Sequence, residues 1–163
     1  LLSWRVQLLP YLEQDALYRK FKLDEPWDSP HNIKLLDEMP EVYRGTNSTH
    51  SNKTVFLGWA GEGTMFDGDQ NTRIAEITDG TSNTVFFVET NDAAAVEWTK
   101  PADYNWQEEN PLWGLQNNRP GGFSAAFVDG SVRFISLDVD WNALKNATLK
   151  ADGNPIDRDW SSR

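Results

Sequence analysis

The chain has 163 residues, 39% hydrophobic and 25% charged, proportions of a globular protein that buries roughly 70% of its unfolded surface; a disordered tail and a coiled coil do not fit. Fifteen basic residues against 25 acidic ones give a net charge of −10, which repels a phosphate backbone and argues against nucleic acid as a partner. With no cysteine and two histidines there is no disulfide, no thiolate or histidine-rich metal site and no cysteine nucleophile, and no run approaches the ~20 apolar residues of a membrane span.

No internal repeat or low-complexity linker is present, so residues 1–163 read as one soluble domain: 1–45 helical, 54–136 mainly β, 138–150 a carboxy-terminal helix, 151–163 a tail. The opening at Leu1-Leu2-Ser3-Trp4 falls mid-pattern, without a signal peptide, as in a fragment of a longer protein. Leu12, Ala16 and Leu17 share one face of a helix predicted over Pro10 to Phe21, and the preceding Ser3 to Leu9 extends it or forms a short strand. Asp28-Ser29-Pro30 supplies a cap for a second helix, with Ile33, Leu36 and Met39 at helical spacing until Pro40. Trp27, in the acidic link between them, reads as a plug.

Strand signals follow. Residues 54–61 (TVFLGWAG) are β-branched and aromatic, and 84–90 (TVFFVET) form the near-continuous apolar run of a buried central strand. Two turns lie between, around Asp67-Gly68-Asp69 and Asp79-Gly80-Thr81. Asp129-Gly130 joins two strand-like runs over 123–136, and a two-residue turn there pairs Phe127 with Val132 and Ala125 with Phe134 on one face. Asp138 or Asp140 caps a last helix over 141–149, with Trp141, Leu144 and Thr148 on one side. Helices followed by an antiparallel sheet make the fold class α+β.

Chemistry-bearing patterns are sparse. His31 and His50 lie in contexts that suggest no Ser-His-Asp set, and neither a nucleophile-elbow motif nor a phosphate loop occurs, so no enzyme is expected. A carbohydrate-active enzyme is the alternative that needs only carboxylates, and it requires two of them roughly 5–9.5 Å apart across a cleft. Asp67, Asp69 and Asn71 place oxygen ligands at alternate positions, as in the first half of a calcium loop, but Thr72 and Thr78 stand where an EF-hand needs Gly and Glu. Calcium in another loop geometry is the one cofactor this pattern allows; a solvated hairpin tip is the plainer reading.

From Val96 to Asn118, Trp98, Tyr104, Trp106 and Trp113 alternate with amides and carboxylates, Asp103 among them. Flat rings with a polar rim suit a glycan or other small polar solute; the same rings also suit a long loop that must fasten itself to the protein body. A binding surface requires at least two of the four rings to be exposed around a concavity. Arg119 adds a fork of donors for an anion or carboxylate.

The runs Ser3-Trp4-Arg5-Val6 with Leu9-Pro10-Tyr11-Leu12-Glu13-Gln14, then residues 24–32 (DEPWDSPHN), 77–84 (ITDGTSNT), Gly121-Gly122-Phe123 and 129–135 (DGSVRFI), resemble, in order, a large family of planctomycete surface proteins. That family was long labelled a domain of unknown function and is also catalogued as solute-binding. Its members begin with a pilin-type cleavage and methylation segment and end with His, nine residues, then Asp-Gly. Here Arg119 stands where that motif has His. A chemical role of the histidine would be lost; a role in anchoring the hairpin to the preceding loop is one that arginine can take over.

The resemblance implies an exported, cell-surface, pilin- or pseudopilin-like head whose amino-terminal stalk helix is missing from this sequence, with pilus or envelope subunits as partners and any membrane contact made through that helix. In this reading Asp79, Gly80, Asp129 and Gly130 are scaffold, and the loop from Glu97 to Arg119 carries the solute- or glycan-binding surface. The alternative is a purely structural subunit of a fibre or envelope.

Overall fold

A computed structural model describes residues 1–68 and 72–154. The elements are short because prolines and glycine- or Asx-centred turns interrupt the chain every few residues. In order they are α1 (Trp4–Gln7), α2 (Asp15–Tyr18), β1 (Lys53–Thr54), β2 (Phe56–Ala60), β3 (Val85–Glu89), β4 (Val96–Glu97), β5 (Tyr104–Asn105), β6 (Gly122–Phe127), β7 (Val132–Ser136) and α3 (Trp141–Thr148), with several 3-10 turns between. The class is α+β. None of the described helices is long and apolar enough to cross a membrane.

The chain packs as two compact units. The first comprises Leu1–Val55 and Ala95–Ala102, the second Phe56–Ala94 and the chain from Asp103 onward. Because the first unit is completed by a segment that returns from far along the sequence, no linker separates the two in composition.

In the first unit, the helix predicted over Pro10 to Phe21 is broken. Ser3 caps α1 with its hydroxyl, a 3-10 turn spans Leu9–Leu12, and Glu13 at φ 60° ends that turn in the left-handed region before α2 begins. The second predicted helix is a 3-10 segment, Asn32–Glu38, with Ser29 Oγ accepting from Asn32 N–H at 3.0 Å. The tighter winding turns Leu35, Leu36 and Met39 inward and leaves Ile33 exposed. These residues join Val6, Leu9, Leu17, Phe21, Tyr43 and Trp98 in one core, against which Trp27 packs half-buried. β1 pairs antiparallel with β4, placing Lys53 opposite Glu97.

The second unit is a five-stranded sheet in the order β5-β2-β3-β6-β7. β3, from the apolar run 84–90, is its central strand. Four strands pair antiparallel and β5 joins β2 in parallel, Trp59 opposite Tyr104. α3 starts where Asp140 Oδ1 accepts from Asn142 and Ala143 N–H, and it buries Leu144, Ala147 and Thr148.

The hairpin between β6 and β7 forms in a register one residue away from the predicted one. Ala126 faces Val132, Ala125 faces Arg133 and Ser124 faces Phe134. The connection is a three-residue loop: Gly130 N–H donates to Phe127 O at 2.9 Å, Phe127 N–H donates to Ser131 O at 2.8 Å, and Gly130 takes φ 84°. This turn plus bulge adds one residue to the two-residue turn expected from Asp-Gly. A one-residue slip exchanges faces, so Ile135 is buried beside Phe123 while Val132 and Phe134 face outward.

Candidate functional site

Trp98 belongs to the core of the first unit. Its indole N–H donates to Leu36 O at 3.0 Å, and its ring stacks on Tyr43 at 5.9 Å and meets the edge of Phe21 at 5.7 Å. Burial pushes the neighbouring Tyr43 phenol up to about 12, the Arg5 charge offsetting part of the rise; its hydroxyl donates to Arg5 O at 2.8 Å.

The remaining residues singled out between 97 and 119 lie in the second unit. Asp103 Oδ1 accepts from Gly58 N–H at 2.8 Å, fastening the start of β5 to β2. Tyr104 is 1% exposed, its hydroxyl donates to Trp113 O at 2.8 Å, and burial raises its phenol pKa. Trp59 is the common partner: Tyr104 meets it at 5.0 Å and Trp106 stacks on it at 5.7 Å, while Trp141 of α3 lies 6.0 Å beyond Trp106. Trp113 lies nearly parallel to Tyr104 at 6.5 Å. Gly114, at φ 78°, passes so close that a β-carbon there would lie 2.8 Å from Ala94 Cβ and 3.3 Å from Tyr104 Cε2. Five rings therefore run in one series, Trp113-Tyr104-Trp59-Trp106-Trp141, and Trp106 and Trp113 are half-buried within it. None of the four rings expected as ligand contacts is an exposed residue.

Arg119 is placed differently. Its Nε and Nη2 donate to the two carboxylate oxygens of Glu89 at 2.7 and 3.0 Å; the Glu89 side chain is 3% exposed and that of Arg119 39%. The carboxylate raises the guanidinium pKa further, through hydrogen bonding first and charge second. Asn91, two residues past Glu89, accompanies this pin: its N–H donates to Gly114 O at 2.7 Å and its amide to Gln116 O at 2.7 Å. Sequence reading singled out neither Glu89 nor Asn91. A charged residue ending the apolar run 84–90 was the available signal, since a carboxylate at the end of a central strand needs a partner. Beside the pin, Asn117, Asn118, Arg119, Pro120, Gly121 and Leu137 line a hollow of about 370 Å³.

The turn motifs act on the backbone. Asp79 accepts from Asp152 N–H at 2.7 Å and Gly153 N–H at 3.1 Å through its two oxygens, Gly80 takes φ 96°, and Asp129 accepts from Ser131 N–H at 2.9 Å. Asp67 accepts from Gly63 N–H at 3.1 Å. The other two residues of the calcium pattern, Asp69 and Asn71, lie outside the described residues. Among the described residues no group of three or more His, Asp or Glu side chains is placed to hold a metal ion.

A protein-family model described as "Protein of unknown function (DUF1559)", also labelled as bacterial solute-binding, matches residues 1–42 and 39–118, more than two-thirds of the chain. No curated protein and no solved structure matches.

Proposed function

The chain belongs to the DUF1559 family, and on that premise we propose that it is the non-enzymatic head of an exported, pilin-like cell-surface protein, with a structural role in a fibre or envelope. One observation carries the structural emphasis: the aromatic stretch that offered a binding platform is consumed by internal packing, with Trp98 and Tyr104 buried and hydrogen-bonded and Trp106 and Trp113 held in the ring series. The pilin-like assignment draws on the sequence resemblance, and the net charge of −10 suits a head that stays in solution at a surface.

Intact cells that produce the protein, labelled with a membrane-impermeant amine-reactive biotin, test the location. The reading expects biotin on this chain before lysis; labelling only after lysis contradicts it.

A further inference from the structure

We propose that the hollow beside Arg119 binds a small, uncharged polyhydroxy solute of monosaccharide size. Its volume, about 370 Å³, lies within the range of small-molecule sites, about 300–1,000 Å³. Its wall is fastened on both sides. The Asn91 amide holds Gln116 O, the Glu89 carboxylate holds Arg119, and Leu137 N–H donates to Gly121 O at 3.0 Å. Between these pins Asn117 is held at φ 67°, a left-handed conformation that asparagine accepts more readily than most residues. Binding therefore meets little ordering cost in the backbone.

Charge selects the ligand class. Unpaired, the Arg119 guanidinium would favour an anion, but both oxygens of Glu89 are bound to it and the pair sums to zero. The Nη1 edge, on the far side of the planar group from that carboxylate, presents donors without surplus charge. The Asn117 side chain brings amide donors and an acceptor, while Pro120, Gly121 and Leu137 supply apolar surface for C–H groups. Hydroxyl-rich, neutral molecules match that combination; carboxylates and ammonium compounds do not.

Titrating the isotope-labelled chain with D-glucose, D-galactose or myo-inositol at millimolar concentration, and with gluconate as the charged comparator, tests the proposal by amide chemical shifts. Saturable shifts confined to residues 117–121 and 137, with a neutral probe tighter than gluconate, are expected. Asn117→Gly keeps the left-handed backbone and removes the amide, and it should weaken the neutral probe at least about tenfold, with amide shifts elsewhere showing an intact fold. Absence of saturable shifts with all three neutral probes, shifts centred elsewhere, tighter gluconate binding, or unchanged affinity in Asn117→Gly would each overturn it.

Discussion

Asn32 is fully buried and its amide is fully used: Oδ1 accepts from Lys22 N–H at 3.0 Å, and Nδ2 donates to the carbonyls of Lys22, Pro26 and Glu25 at 2.9, 3.1 and 3.3 Å. One side chain thus closes the loop from Lys22 to Pro26. Asn32→Leu keeps the volume and strands those groups without partners, so we expect a loss of about 2–4 kcal/mol in urea denaturation; an unchanged midpoint contradicts the assignment. The Glu89–Arg119 pair permits a sharper test. Arg119→Met leaves a buried carboxylate alone and should cost about 2 kcal/mol, less than the 3–5 of a fully buried pair because Arg119 is 39% exposed. Replacing both residues by Met should cost less than Arg119→Met alone, since no charge is then stranded. A double variant less stable than the single would show that packing, not charge, holds the loop.

Between strands, the β6–β7 hairpin separates conformational from steric effects. At Gly130 the space around a new β-carbon is open, so Gly130→Ala should cost only the left-handed backbone term, about 1–2 kcal/mol. At Gly122 a β-carbon would strike Ile135 O of the paired strand as well as the Phe134 ring, so Gly122→Ala should lower the melting temperature further than Gly130→Ala. Equal shifts would contradict the register. Asp129 adds a pH dependence. The neighbouring Ser131 side chain first, and then the Ser131 N–H that donates to Asp129 Oδ1 at 2.9 Å, hold its carboxyl below the usual 3.8. A depressed folded-state pKa gives stability that is complete above the unfolded value and is lost as pH falls through the folded one. Asp129→Asn should therefore flatten the acid limb of stability below about pH 4, measured by urea midpoints; an unaltered limb contradicts the assignment. The Asp-Gly pair made this hairpin legible in the sequence. Its register was not, because a bulge at Gly130 depends on backbone geometry rather than residue type. The 3-10 winding over Asn32–Glu38 was hidden for the same reason: Leu36 and Met39 fit either helix, and only the exposure of Ile33 distinguishes them.

Across the whole molecule, the α+β class was legible because helical spacing gives way to strand-like runs near residue 54. The discontinuous first unit was not, since the return of Ala95–Ala102 leaves no mark in composition. The aromatic stretch was ambiguous by chemistry: rings flanked by polar residues describe both a sugar platform and a fastening. A second pattern was present, however. Asp103-Tyr104-Asn105-Trp106 alternates polar and aromatic residues, the period of a strand, and β5 forms there with Tyr104 buried and Asn105 exposed. Our account holds that these rings secure the chain to its own sheet. Urea denaturation of Tyr104→Ala tests that most directly. We predict a loss of about 3–5 kcal/mol, as for removal of a large buried ring, whereas stability indistinguishable from the parent protein would contradict the account.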